Sequence, residues 1–182
     1  PIKGGYPCHL AQYADNLLVA CYASGNVLQF PLKESGQVMS SKMNYYHSGS
    51  SVNLARQEAP HAHQVAIHPN SKDIYVCDLG IDTLKAYLFE GDELVPNKER
   101  DVFVSLGGGP RHMVFNKNGS LAYVINELTG NVSVLQNKNG NFQELHTYSS
   151  IPTGFKGVPS ASAIRIDKEG KFLYVANRNL EA

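Results

Sequence analysis

The chain has 182 residues, of which 42% are apolar and 18% charged, and its 16 Lys and Arg balance its 16 Asp and Glu. Such a composition is typical of a globular domain, and a neutral chain lacks the broad basic surface that binds nucleic acid or an anionic membrane. No apolar run reaches the length of a membrane span, and residues 1–5 lack the apolar segment of a signal peptide. Three cysteines without a CxxC pair indicate reduced thiols in a cytoplasmic protein.

Short apolar segments follow one another along the chain and predict strands throughout. The first stretch predicts strands at 9–12, 17–19, 26–31 and 38–45, and the second at 63–68, 74–76, 83–89 and 102–105. The third predicts strands at 112–116, 122–124, 131–135 and 142–148, and the last at 163–167 and 173–175. Helical periodicity is absent, so the fold class is all-β.

These strands form a repeat of about 50 residues, the length of a propeller blade. The second strands align on a valine, namely Val19, Val76, Val124 and Val175. A turn residue lies six positions later in each of the first three repeats, which disfavours the alternative of an irregular β-sandwich. We therefore predict a single partial β-propeller domain over 1–182, about three and a half blades, with repeats of roughly 5–55, 56–106, 107–157 and an incomplete 158–182.

An open arc of blades leaves strand edges and blade faces uncovered. The repeat count therefore predicts either further blades outside this chain or self-association of chains that covers the open edges.

Polar side chains concentrate in the links that the repeat places on one face. In a propeller blade, the link that enters the innermost strand and the link from the second to the third strand lie at the same end. The entering links span 56–63, 107–112 and 157–162, and the second-to-third links span 77–82, 126–130 and 177–178. The turns at the opposite end are rich in Lys, Asn and Gly. This distribution predicts one site at the propeller mouth.

Six of these motifs resemble those of a known family. They read Gly-Tyr-Pro-Cys-His-Leu at 5–10, Pro-His-Ala-His at 60–63, Asp-Leu-Gly-Ile-Asp at 78–82, Gly-Pro-Arg-His at 109–112, Asn-Glu-Leu at 126–128 and Asn-Arg at 177–178. Their order and spacing resemble the seven-bladed lactonase propellers, which include bacterial 6-phosphogluconolactonases and fungal carboxymuconate cyclases. The resemblance implies a site without metal or cofactor, built from a His, a Glu and two Arg. Residue by residue these match His63, Glu127, Arg111 and Arg178, and Asn179 replaces the family's usual Gly.

Seven further residues in the same six motifs are predicted to bind the substrate: His9, His61, Asp78, Gly109, His112, Asn126 and Asn177. For His61 and His63, which point the same way on a strand, the alternatives are a strand cap or a metal pair, but no ligand spacing supports a metal. Asp78, Asn126 and Asn177 have the alternative role of satisfying backbone groups in their loops.

Two motifs carry two interpretations each. The glycines at 107–109 either cradle an anion with backbone N–H groups or serve a tight crossover that needs positive φ. Arg111, beside them, offers two parallel donors to a phosphate or a carboxylate. Glu127 and Arg178 share the repeat position three residues past the valine, which predicts either a central pocket or an ordinary ion pair.

The resemblance implies hydrolysis of a sugar lactone, foremost 6-phospho-D-glucono-1,5-lactone to 6-phosphogluconate in the pentose phosphate pathway. In that reaction Glu127 or His63 would activate water, while Arg111 and Arg178 would hold the substrate anion and the developing oxyanion. The partner is then a small phosphosugar lactone, with no nucleic acid and no membrane. Two alternatives stay open: a carboxymuconate-type lactone cycloisomerase, and a non-catalytic propeller binding module.

Overall fold

The computed structural model describes residues 2–179, and these residues are organised as antiparallel sheets. The first sheet contains β1 (Pro7–Tyr13), β2 (Asn16–Cys21), β3 (Asn26–Pro31) and β4 (Met43–Tyr46). The second contains β5 (Ala62–Ile67), β6 (Ile74–Asp78), β7 (Thr83–Glu90), β8 (Glu93–Pro96) and β9 (Val102–Phe103). The third contains β10 (Pro110–Phe115), β11 (Leu121–Asn126), β12 (Asn131–Lys138) and β13 (Asn141–Ser149), and the last pairs β14 (Ala161–Ile166) with β15 (Leu173–Asn177).

The sheets are arranged as propeller blades. Within each sheet the strands pair in chain order, except that β9 pairs with β7. The innermost strands of successive sheets contact one another: β1 with β5, β5 with β10, and β10 with β14. The all-β partial propeller of about three and a half blades is therefore confirmed. Two three-residue 3-10 turns, Leu79–Ile81 and Lys98–Arg100, are the helical segments of residues 2–179, and no helix there has the length and apolarity to cross a membrane.

The core lies between neighbouring blades, because each sheet packs one apolar face against the next. The aligned residues Val19, Val76 and Val124 are at most 1% exposed. The buried side chains of Tyr75 and Met113 join the second blade to the third in one apolar cluster. A similar cluster joins the first blade to the second. The valine repeat thus identifies the most buried strand of the first three blades, whereas Val175 in the fourth repeat is only partly buried.

The turn residue six positions past each aligned valine adopts a left-handed backbone. Gly25, Asp82 and Gly130 have φ values of +59°, +50° and +69°. Glycine adopts this conformation without steric cost, and Asp is one of the few other residues that tolerate it. The left-handed backbone is therefore common to this position of the repeat. In the second blade the position is occupied by Asp82, whose side chain makes further contacts.

The strands of the structure differ from the predicted ones mainly in two places. The predicted strand at 38–45 is shorter, since β4 covers only Met43–Tyr46 and Val38 makes a single bridge to Leu32. Strand β8 was not predicted, although it forms a hairpin with β7 around Gly91 (φ +61°) and buries Leu94 completely.

Candidate active site

Each innermost strand carries a β-bulge near its start. The pairing register slips at Cys8 in β1, at His63 in β5 and at Arg111 in β10, and it slips again between Ala161 and Ile164 in β14. A bulge inserts an extra, unpaired residue and changes the direction of its side chain. His63 and Arg111 thus occupy the same position in successive blades, which explains why the two predicted catalytic residues lie near each other.

Glu127 lies directly after β11, where the third blade turns from its second strand to its third. Its backbone N–H donates to the Gly109 carbonyl at 2.8 Å, and the Leu128 N–H donates to the Gly108 carbonyl at 3.0 Å. These bonds tie the Glu127 loop to the link that enters the same blade. The Glu127 side chain is 7% exposed, so its carboxylate is held in a mostly dry environment.

Three arginines from different links surround the Glu127 carboxylate. Arg56 Nη2 lies 2.7 Å from Oε1, Arg111 Nε lies 2.8 Å from Oε2, and Arg178 Nη2 lies 3.0 Å from Oε2. The structure therefore brings together three of the four predicted catalytic residues, Glu127, Arg111 and Arg178, and adds Arg56. These four side chains share one carboxylate and form a single cluster. The alternative of an isolated ion pair is therefore replaced by this cluster.

The three guanidinium groups keep Glu127 ionised. Burial by itself would raise the pKa of this carboxyl, but Arg56, Arg178 and Arg111 outweigh burial and lower the pKa below its usual value. Glu127 is thus a carboxylate at neutral pH, and it accepts hydrogen bonds but has no proton to donate. Arg111 is also held by the Ser162 carbonyl, to which its Nη1 donates.

The fourth predicted catalytic residue, His63, lies in a group of rings beside this cluster. Its ring centroid is 5.1 Å from that of His112 and 5.7 Å from that of Tyr22, both in edge-to-face geometry. His9 meets His112 at 5.9 Å, and His61 stacks on Tyr22 at 4.5 Å. The predicted substrate-binding histidines His9, His61 and His112 are therefore neighbours of His63.

His63 is a neutral imidazole at pH 7. Burial, followed by the positive charge of Arg111, lowers its pKa from 6.5 to about 4, although Glu127 acts in the opposite direction. The same two causes lower the pKa of His112 to about 3. Within residues 2–179, the buried Nδ1 atom of His63 has no hydrogen-bond partner. The ring is therefore uncharged at neutral pH, and one of its nitrogens is engaged by no group among these residues.

The free energy of unfolding is expected to fall as the pH is lowered from about 6.5 towards 4. In this range His63 is protonated in the unfolded chain but stays neutral in the folded protein. The folded pKa lies below the unfolded one, so the contribution is complete above 6.5 and is lost on acidification. Between pH 7 and pH 5 this residue accounts for about 2 kcal/mol of the free energy of unfolding. Urea unfolding of wild type and His63→Gln at both pH values measures it. An unchanged pH dependence in the variant would contradict the assignment.

Asp78 stabilises the loops and makes no contact with the cluster around Glu127. Its carboxylate is fully buried and accepts hydrogen bonds from the backbone N–H groups of His61 at 2.7 Å and Gly80 at 3.0 Å. The other carboxylate oxygen lies 2.5 Å from His47 Nδ1. With both oxygens engaged, Asp78 fixes the link that carries His61 and His63, which is the alternative considered for it.

Asn126 and Asn177 take the corresponding position in the third and fourth blades. Asn126 Nδ2 donates to Ser133 Oγ at 2.8 Å, and Asn177 Nδ2 donates to Ser150 Oγ at 3.1 Å. Each immediately precedes a member of the arginine cluster, Glu127 or Arg178. Their amide nitrogens thus bind one serine in β12 and one serine just after β13, and the buried Oδ1 of each has no hydrogen-bond partner among the described residues.

The glycines at 107–109 form a tight crossover, and the anion-cradle interpretation is wrong for their N–H groups. Gly107 and Gly109 donate to the two carboxylate oxygens of Asp82, at 2.6 and 2.8 Å, and Gly108 donates to the Ser105 carbonyl at 3.1 Å. Positive φ values of +75° and +67° at Gly107 and Gly109 explain the residue type. The predicted ligand contact of Gly109 is thus replaced by a role in positioning Glu127.

Sequence reasoning assigned no role to Arg56 or Tyr22, although the repeat carries a signal for both. Arg56 lies in the link between the first and second blades, the same class of link that contains Arg111. Tyr22 has the repeat position of Glu127 and Arg178, and its hydroxyl lies 3.3 Å from Arg56 Nη2. In the part of the chain that the structure describes, no group of three His, Cys, Asp or Glu side chains is arranged to hold a metal ion.

The fold and this cluster together define a propeller arc in which one carboxylate and three guanidinium groups meet in the links between blades. The family model described as "Lactonase, 7-bladed beta-propeller" matches residues 1–181, and the chain belongs to this family. A 6-phosphogluconolactonase of Bacillus subtilis is 35% identical over 181 residues, which are 97% of this chain and 51% of that protein.

Solved structures show the same blades. A putative 6-phosphogluconolactonase of Bacteroides fragilis superimposes with a TM-score of 0.89 at 29% identity, covering 96% of this chain and 51% of that one. A periplasmic gluconolactonase of Pseudomonas aeruginosa superimposes with a TM-score of 0.85 at 30% identity, covering 94% and 50%. The chain thus spans about half the length of these relatives.

Proposed function

We propose that this chain supplies the catalytic cluster of a sugar lactone hydrolase whose substrate is 6-phospho-D-glucono-1,5-lactone, opened to 6-phosphogluconate in the pentose phosphate pathway. One observation carries the proposal: an ionised glutamate surrounded by three arginines lies beside a neutral histidine. The name of the Bacillus relative and those of the two structural neighbours support lactone chemistry.

His63 is the proposed general base. Water attacks the lactone carbonyl carbon and gives its proton to the ring, and the tetrahedral intermediate then collapses with cleavage of the ring C–O bond. The departing alkoxide takes the proton back, so the net reaction adds one water molecule. His63 suits this role better than Glu127, because both oxygens of Glu127 are held by guanidinium groups whereas the His63 ring is a neutral proton acceptor.

Arg111 is the proposed oxyanion-stabilising residue. Its side chain is only 16% exposed and lies against Glu127, so its charge acts in a site with little water. Glu127 orients Arg111, and its negative charge favours the imidazolium that forms on His63 during attack. Arg178, which is 48% exposed, is free to contact the substrate from the rim.

The test is a coupled assay of 6-phosphogluconate release, with chelator present, on protein in which this chain is part of a closed ring. We expect hydrolysis by the wild type and a loss of about 10²- to 10⁴-fold in His63→Gln, because proton transfer to a positioned side chain contributes that much. Lys72→Gln, at the opposite end of the blades, is the control. If the folded, closed propeller does not hydrolyse the lactone, the proposal is refuted. That outcome would favour a cycloisomerase or a binding module.

The proposed location is the cytoplasm. A phosphorylated substrate supports it, as do the three unpaired cysteines, two of which are buried. The relative from Pseudomonas aeruginosa is named as periplasmic, so cell fractionation followed by immunodetection is the direct measurement.

A further inference from the structure

Arg56 contacts Glu127 but has no role in the proposed proton transfer or oxyanion stabilisation. Its backbone is fixed, because the neighbouring side chain of Gln57 is fully buried and donates to the Leu79 carbonyl at 2.9 Å and to Asp82 Oδ1 at 2.7 Å. The Arg56 side chain, in contrast, is 43% exposed and reaches over the site to Glu127. A firmly anchored residue thus presents a guanidinium group at the rim of the cluster.

The two rim arginines approach Glu127 from different blades and bind different oxygens. Arg56 contacts Oε1, whereas Arg178, 48% exposed, contacts Oε2 together with the more buried Arg111. Among residues 2–179 no second carboxylate forms an ion pair with these three guanidinium groups. The cluster therefore carries an excess of two positive charges, which an incoming dianion would balance.

Tyr22 gives Arg56 a second contact at the same place. Its hydroxyl lies 3.3 Å from Arg56 Nη2, and its ring is fixed by stacking on His61 and by the edge of His63. A guanidinium group and a phenol hydroxyl side by side provide charge-assisted and neutral hydrogen bonds to one phosphate group. The ring contact with His63 places this pair next to the proposed base.

Resting on the proposed function, we propose that Arg56 and Tyr22 form the subsite that selects dianionic, phosphorylated sugar lactones over uncharged ones. On substrate entry, the phosphate group takes over the contact that Arg56 makes with Glu127 Oε1. Arg178, which contacts the other carboxylate oxygen of Glu127, borders the same subsite. Arg56 is therefore a specificity-determining residue, distinct from the residues that move the proton or stabilise the oxyanion.

The test compares kcat/KM for 6-phospho-D-glucono-1,5-lactone with kcat/KM for glucono-1,5-lactone. In Arg56→Gln we expect the ratio of the two to fall about 30-fold, the amount that a hydrogen-bonded charge contributes to binding a charged group. Tyr22→Phe should lower the ratio about threefold, and Arg56→Lys should restore part of it. Arg100→Gln is the matched control, because Arg100 pairs with Asp73 away from the site.

An equal fall of kcat/KM for both lactones would overturn the subsite, since Arg56 would then serve only to position Glu127. Binding of 6-phosphogluconate and gluconate, measured by calorimetry, decides the same question without turnover. Arg56→Gln should weaken the former about 30-fold more than the latter. If the wild type opens no lactone yet shows this difference, the hydrolase proposal fails and the anion subsite stands; equal weakening rejects the subsite.

Discussion

Replacing Glu127 by Gln is expected to lower kcat/KM for 6-phospho-D-glucono-1,5-lactone about 10³-fold, the loss expected when a preorganised charge in a dry site is removed. The substitution keeps the size of the side chain but removes the charge that holds Arg56, Arg111 and Arg178 together. Arg111 then loses its fixed orientation, and the imidazolium of His63 loses a favourable neighbour. Steady-state kinetics with the coupled assay measures the effect.

The same variant should bind the product at least as tightly as the wild type. Without the Glu127 carboxylate, a phosphate group meets three guanidinium groups and no competing anion. Glu127→Asp retains the charge at a shorter reach and should fall between wild type and Gln. Near-normal turnover in Glu127→Gln, with an unchanged unfolding curve, would show that the glutamate has no part in the reaction.

Replacing Asp82 by Ala is expected to lower the free energy of unfolding by about 4 kcal/mol, because a buried carboxylate that serves several donors is removed at once. Asp82 is 2% exposed and accepts hydrogen bonds from Gln57, Gly107, Gly109 and Ser51. These donors lie in the links that enter the second and third blades. Chemical denaturation followed by circular dichroism gives the value.

Two further variants separate the causes at Asp82. Asp82→Gly relieves the left-handed φ of +50° but still loses the carboxylate, so it should recover only about 1 kcal/mol relative to Ala. Asp82→Asn keeps the shape and one acceptor oxygen and should be intermediate. A stability of Asp82→Ala within 1 kcal/mol of wild type would mean that water satisfies the Gly107 and Gly109 N–H groups equally well.

The sequence predicted the blades well because the packing depends on local patterns. The aligned residues Val19, Val76 and Val124 are buried as expected, and the left-handed turn follows from Gly25 and Gly130. Strand β8 was missed because Leu94 is buried by contact with the first blade, where its N–H donates to Gln29 at 2.9 Å. Such a contact between distant residues leaves no local periodicity.

For the site, the sequence indicated which links lie together at one end of the blades. It did not indicate which polar atoms already have hydrogen-bond partners within the protein. Arg111, Glu127 and Arg178 were predicted together through the resemblance and the shared repeat position. The occupied N–H groups of Gly107 and Gly109 were not foreseeable, because Asp82, which engages them, lies more than 20 residues earlier and looks like an ordinary turn residue. Arg56 was overlooked because it lies before the Pro-His-Ala-His motif of its link and belongs to no motif itself.

The bulges of the innermost strands have a consequence for how new activities could arise in this architecture. Cys8, His63 and Arg111 occupy equivalent bulges and contribute no rung to the hydrogen-bond ladders of their blades. A mutation at such a position therefore changes the reactive group without removing a rung of the hydrogen-bond ladder. Successive blades can diversify independently, so one scaffold offers evolution and protein engineering a set of exchangeable positions around a common centre.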